Sequence, residues 1–175
     1  MKRDFTGDHP GVKFVGDMTY IHTWQGLIYG AIVMACFSKK GFGWSIADHM
    51  RTELVEDALR KAALTTVIEV DAIFHSDRGR VYNSAVYQAL LRRLCMRSSM
   101  GCTGVCWDNA LAESFFSALK NWRVHRTVYA TKARAKRDVI MYIEGFYNSG
   151  LRHSALAYRR PNDVHYVYQQ HVLVA

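Results

Sequence analysis

Three acidic residues stand where the surrounding sequence is apolar. Glu113 lies in Cys106-Trp107-Asp108-Asn109-Ala110-Leu111-Ala112-Glu113-Ser114-Phe115-Phe116-Ser117-Ala118-Leu119-Lys120, where Leu111, Phe115, Leu119 and Trp122 recur at the spacing of a buried helical stripe. Asp108 precedes the stripe and can cap the first free N–H groups. Glu113 falls off the stripe, with Phe116 and Lys120 on its side of the helix. A carboxylate fixed on a packed helix has the setting of a metal ligand rather than of a solubilising charge. Asp17 interrupts Phe14-Val15-Gly16-Asp17-Met18-Thr19-Tyr20-Ile21, and Asp77 ends Ile73-Phe74-His75-Ser76-Asp77-Arg78-Gly79. Each acid has an ordinary alternative: Asp17 bonded to Thr19, Asp77 supporting the Gly79 turn, Glu113 a surface charge. Gathered together, three carboxylates would repel one another until one neutralised or a cation joined them. Ligation by carboxylate oxygen alone suits Mg²⁺ or Mn²⁺ and disfavours zinc.

Asp-Met-Thr-Tyr-Ile at residues 17–21, His-Ser-Asp-Arg-Gly at 75–79 and Asp-Asn-Ala-Leu-Ala-Glu-Ser-Phe-Phe-Ser-Ala-Leu-Lys at 108–120 resemble the three blocks of the DDE integrase core, with 35 residues between Asp77 and Glu113. The insertion-sequence transposases of the IS3 type are the subgroup most resembled. Tyr147-Asn148-Ser149-Gly150-Leu151-Arg152-His153-Ser154-Ala155-Leu156-Ala157-Tyr158, followed by Pro161, is similar to that group's closing block. The resemblance runs from about residue 9 to 165. It implies a ribonuclease-H-like α/β fold in which Asp17 sits mid-strand at the sheet centre, Asp77 ends the neighbouring strand and Glu113 enters from a helix. It also implies that these three acids hold a two-ion Mg²⁺ or Mn²⁺ site for cutting and joining DNA, without a nucleotide cofactor, in a dimer or larger assembly. Further DNA contacts would come from Asn109, Lys120, Arg123, Arg126, Arg152 and His153. Asn109 could equally be a cap partner, and Arg152 and His153 could equally cap a helix or pair with Glu144. A plain nuclease, or an inactive core that only binds DNA or another subunit, are the alternatives. The chain departs from the pattern twice: Ala35-Cys36-Phe37-Ser38-Lys39 replaces an Asp followed by Ser-Arg, and Trp122 replaces a Glu. The helix-turn-helix region that such transposases place upstream is not among these residues.

At 175 residues one domain is expected, with residues 1–12 an irregular lead-in and about 122–165 a basic helical extension. No apolar run approaches a membrane span and no signal-type segment follows the basic N-terminus, so a cytoplasmic protein is expected. Cys36, Cys95, Cys102 and Cys106 lack zinc-finger spacing and read as reduced thiols. The net charge of +8 is uneven: residues 120–160 hold ten basic and two acidic side chains. That half either meets a polyanion, with gain from counterion release, or is a solvated helix surface.

In chain order, strands are expected at Lys13–His22, Leu27–Phe37 and Phe42–Ala47, forming an antiparallel meander. A helix capped by Thr52 follows, then a strand over Val70–Ser76 and a helix from Asn83 or Ser84 with Val86, Ala89, Leu90 and Leu94 inward. A short strand over Cys95–Ser98 leads to a mobile loop from Met100 to Trp107 and then to the Glu113 helix. Thr131 opens a long helix with Ala135, Val139, Tyr142 and Phe146 inward, and the chain is irregular after Asn148. The order gives a five-stranded mixed sheet, three antiparallel strands then two parallel, flanked by helices.

Overall fold

The computed structural model describes residues 4–101 and 109–174, the last four of these by backbone alone. Strands β1 (Lys13–Thr23), β2 (Gly26–Ala35) and β3 (Gly41–Ala47) form the antiparallel meander, and α1 (Thr52–Thr65) crosses back over it. Then come β4 (Ile73–Ser76), α2 (Ala85–Arg93), β5 (Arg97–Met100), α3 (Ala110–Trp122), α4 (Lys132–Met141) and α5 (Pro161–Val174). The sheet order is β3-β2-β1-β4-β5, with β4 parallel to both β1 and β5. Strand β1 is therefore central, but β4 pairs only with Lys13, Phe14 and Val15, which leaves that edge of β1 open from about Gly16 onward.

Side chains alternate across the sheet and divide the core in two. Phe14, Ala31, Val33, Phe42 and Phe74 pack under α1 and α2 with Leu54, Val55, Ala58, Leu59, Tyr87 and Leu90. Val15, Ile21, Ile28, Ile32 and Met34 pack on the other face with Ala112, Phe115, Phe116 and Leu119 of α3 and Ala135 and Val139 of α4. Helix α1 lies so close to β3 that a Cβ added to Gly43 would stand 1.9 Å from the Ala58 carbonyl oxygen.

Several local expectations shift. Strand β4 begins at Ile73 rather than Val70, because Asp71 adopts φ 64° and turns the chain; Val70 is exposed. Strand β5 likewise begins at Arg97, after Cys95 at φ 53°. Helix α2 is capped by Ser84, whose hydroxyl accepts the Tyr87 N–H, but it buries Tyr87, Leu90 and Leu91 while Val86 points outward. Thr52 is the first residue of α1 rather than its cap, since Arg51 holds the cap position without a side-chain bond. The stripe of α3 is Ala112, Phe115, Phe116 and Leu119; Leu111 is only partly buried and Trp122 is exposed against the Phe146 ring. Thr131 caps α4 as expected, accepting the Arg134 N–H at 3.2 Å. Tyr142–Tyr147 then widen into a π-helical turn, which buries Tyr142, Ile143 and Tyr147 more fully than Phe146. The chain after Asn148 is irregular only to Arg160, and α5 was not anticipated; its His165 packs edge-on against Phe42 at 4.8 Å. The expected Asp108 cap and nearly all of the expected mobile loop fall outside the described residues.

Asn148 joins this closing segment to the sheet. Its Oδ1 accepts the Gly41 N–H at 3.0 Å and its Nδ2 donates to the Gly41 oxygen at 2.9 Å, in a fully buried pair. Cys36 is a buried free thiol and Cys95 an exposed one. Among the described residues no helix is long and apolar enough to cross a membrane.

Candidate active site

The register of the parallel pair organises the acids. Val15 faces His75 in the last pair, Asp77 follows the end of β4, and Asp17 and Asp77 line one cleft. Asp17 shares the face of Val15 and Ile21, which α3 covers. Its Oδ1 accepts the Met18 N–H at 2.8 Å, and Asp77 Oδ1 accepts the Gly79 N–H at 2.9 Å. Asp77 therefore does support the Gly79 turn, whereas Asp17 is bonded to Met18 rather than to Thr19. Glu113 lies in the first turn of α3, on its exposed side.

The Asp17 carboxyl is pushed up to about 7, first by burial and then by the charges of Asp77 and Glu113, against the pull of the Met18 N–H and Lys120. Glu113 is also raised, by desolvation. Asp17 thus feels the charges of both other acids, although among the described residues no three acidic, His or Cys side chains already stand in a metal-binding group. Asp17 and Asp77 also border a cleft of about 980 Å³ whose far side is the start of α1, with Arg51, Thr52 and Glu53.

This burial has a measurable sign. Asp17 ionises at about 7 in the folded chain and near 3.8 when unfolded, so its contribution is fully favourable below pH 3.8 and is lost as pH rises through 7. Asp17→Asn is expected to gain stability over wild type progressively across that window, to a ceiling of ~4 kcal/mol. Urea unfolding of both proteins in chelator at several pH values checks it; a difference that stayed constant with pH would contradict the buried-charge account.

The expected DNA-contact residues fall in different places. Lys120 lies two turns beyond Glu113, feels the Asp17 charge and stands 5.0 Å over the Tyr20 ring. Arg123 is exposed at the end of α3. Arg126 is exposed and folds back to donate to the Asn121 carbonyl (2.9 Å), with its guanidinium 5.8 Å from the Trp122 ring. Asn109 is 5% exposed and donates across the interior to the Gly16 oxygen at 3.0 Å, so the side chain fastens α3 to β1 beside Asp17. Arg152 is exposed, while His153 packs edge-on against Tyr147 at 4.9 Å and is held below its usual pKa by burial. Glu144 accepts instead from the Trp44 indole at 2.7 Å. His75 is buried and its Nδ1 lies 3.0 Å from Ser99 Oγ, so it is a bonded core histidine.

The two departures from the family pattern sit at the end of β2 with the turn after it, and at the end of α3. The Lys39 ammonium is buried in the turn after β2, donating to the Phe5 and Cys36 carbonyls. The residue sequence reasoning passed over is Tyr20, which borders the acid cleft and is half exposed on β1. Its signal was its place in the Asp17–Ile21 block, which does not distinguish a wet ring from a buried one.

A five-stranded sheet in this order, between two helical layers and with one acid on its central strand and another just after the neighbouring strand, is the ribonuclease-H-like fold of retroviral integrase catalytic cores. Solved structures agree on that fold. A chain of the simian T-cell lymphotropic virus intasome in complex with the PP2A regulatory subunit B56 gamma superposes with a TM-score of 0.73 at 16% identity, covering 91% of this chain and 56% of that one. The HTLV-2 integrase catalytic core domain in complex with magnesium gives 0.67 at 14% identity, covering 91% and 99%. The sequence matches the integrase core domain model over residues 7–106, and a second model of that description over residues 94–161. The chain belongs to the integrase core domain family. It is 37% identical over 159 residues to the transposase for insertion sequence element IS904 of Lactococcus lactis, covering 91% of this chain and 63% of that protein. It is 39% identical over 154 residues to transposase InsF for insertion sequence IS3A of Escherichia coli, covering 88% and 54%. The chain thus spans between about half and two thirds of the length of these curated relatives.

Proposed function

We propose that this chain is the catalytic core of a DNA transposase, cutting and joining phosphodiesters with Asp17, Asp77 and Glu113. The observation that carries the reading is that Asp17 and Asp77 line one cleft, where the half-buried Asp17 carboxyl is raised to about 7, first by desolvation and then by the charges of Asp77 and Glu113. Proteins seldom retain such a conflict unless a cation resolves it. The donor set fits Mg²⁺ or Mn²⁺, being carboxylate oxygen throughout. When bound, two such ions supply activation of the attacking oxygen and stabilisation of the leaving one. The chain's own contribution is position. The Met18 and Gly79 N–H groups orient the two aspartates, the packed face of α3 fixes Glu113, and Lys120 offers a cation to a phosphate beside them. Water is the nucleophile for cleavage and a DNA 3′-hydroxyl for joining, so neither a protein nucleophile nor a nucleotide is required. Joining two DNA ends calls for a dimer or larger assembly.

The reading is tested by incubating the chain with a pre-cut DNA end and a plasmid target, with Mg²⁺, Mn²⁺ or chelator. Joined product only with metal is expected. Cleavage without any joining would favour a plain nuclease, and neither reaction would favour a binding module.

Duplex binding by this chain is expected to be weakly sequence-dependent and steep in salt. Arg123, Arg134 and Arg137 are exposed along the α3–α4 side and meet phosphates as charges rather than as readers of base edges. With about four to six contacts, affinity should fall by roughly two to three orders of magnitude between about 50 and 200 mM salt. A labelled duplex titrated across that range would show a flat response if the electrostatic account is wrong.

A further inference from the structure

Beyond Asp17, strand β1 carries Tyr20, His22 and, at the following turn, Trp24. Alternation places Tyr20 and His22 on one side of the strand, and their rings meet edge-on at 5.5 Å. Tyr20 is 52% exposed and Trp24 79% exposed. A wet indole on a floppy turn would mean little, but this turn is tied down. The Trp24 N–H donates to the Tyr129 oxygen at 3.0 Å, the Thr23 hydroxyl to the Gly26 oxygen at 2.7 Å, and Gln25 Oε1 accepts the Lys132 N–H at 3.0 Å. The rings line an open groove of about 500 Å³ together with Lys120, Val124 and His125. Its lining carries a cation and no acid: Lys120 lies over Tyr20 at 5.0 Å. Tyr20 lies three residues from Asp17, about 10 Å along an extended strand.

We infer that this groove is a stacking site for unpaired nucleobases of a DNA end, with Tyr20 and Trp24 as platforms and Lys120 holding the adjoining phosphate. The inference rests on the transposase reading above, and it adds how the end is held open beside the acids. Aromatic faces take any base, and a turn whose backbone is already anchored loses little freedom on stacking, so the site favours frayed or single-stranded ends without sequence choice. A protein surface is the other partner for exposed rings. The Lys120 ammonium and the short reach along β1 to Asp17 favour DNA, because an apolar protein patch would gain nothing from the lysine.

The test compares a blunt duplex with the same duplex carrying a short 3′ single-stranded extension, both labelled and both in chelator so that no strand is cut. The extension is expected to tighten binding about tenfold, and 2-aminopurine placed in it should be quenched on binding. Trp24→Ala should remove most of that preference and the quenching, Trp24→Phe should keep most of both, and blunt-duplex affinity should stay near wild type. Trp24 is a surface residue, so unchanged melting of the variants is a fair control. Equal wild-type affinity for both duplexes, or a preference that survives Trp24→Ala, overturns the proposal. So does a Trp24→Ala variant that changes only the oligomeric state in light scattering, which would make the groove an interface between copies. The two readings fail separately: loss of metal-dependent joining sinks the transposase assignment, whereas loss of the extension preference alone sinks only the stacking site.

Discussion

Glu113→Gln is expected to reduce metal-dependent DNA joining by several orders of magnitude while leaving the fold intact. Gln has almost the same shape, and the packing face of α3 consists of Ala112, Phe115, Phe116 and Leu119, none of which the change touches. The amide is a poorer donor to a hard divalent cation and carries no charge to offset it. In the metal-free protein the effect reverses in sign. One of the charges that raises Asp17 disappears, so the variant should melt at the wild-type temperature or slightly above, and DNA affinity in chelator should hold or improve. Two assays on one preparation, joining with Mg²⁺ and melting in chelator, separate a catalytic role from a structural one. Near-normal joining by Glu113→Gln would falsify the assignment of the site.

The largest loss of stability is expected at Gly43→Ala. The added methyl would meet Ala58 O at 1.9 Å, Ala62 N at 2.6 Å and Ala62 Cβ at 2.9 Å. Two of these are backbone atoms of α1, so no side-chain rotation relieves the clash; the whole helix must move off the sheet. Overpacking of this kind costs about 3 kcal/mol or more, or roughly 6–12 °C in melting temperature for a domain of this size. Gly30→Ala is the control, because nothing lies within 4 Å of the position its methyl would take. It should be neutral or slightly stabilising. If both variants melted alike, the close approach of α1 to β3 would be in error. Helix α1 also forms the far wall of the acid cleft through Arg51, Thr52 and Glu53, so Gly43→Ala should depress activity as well.

The sequence disclosed the parts of this molecule that depend on period and block order. The Leu27–Phe37 run is apolar because β2 is covered on both faces, and it forms a strand close to that span. Asp17 at mid-strand on the central strand and Asp77 after β4 followed from the family blocks. What stayed illegible was set by tertiary contacts. Val70 has strand-like chemistry, but Asp71 in the left-handed region takes the chain through a turn. Helix α2 offers apolar residues on adjoining faces, and only the pocket beside Phe74 selects Tyr87 over Val86. Helix α5 mixes Tyr, His, Val and Gln with little periodicity, because it lies along the surface and inserts few side chains. At the site, Asn109 looked like a cap or a DNA contact, and no spacing rule reveals a side chain that reaches 93 positions back to Gly16.

The brief pairing of β4 with β1 bears on how the chain folds as it leaves the ribosome. The meander β1-β2-β3 is built from neighbours in sequence and closes its loops at small entropic expense, so it can form first. From then until residues 73–76 emerge and cross back over α1, all of β1 is an edge strand, with Phe14 and Val15 among its open ladder groups. An unpaired edge of that apolar character is a template for another chain in the same state. The four-residue strand that carries Asp77 to the edge of β1 is therefore also the piece that ends the chain's exposure to intermolecular pairing along its most buried half. The meeting of the two aspartates and the covering of that edge coincide in one folding step, before α3 delivers Glu113.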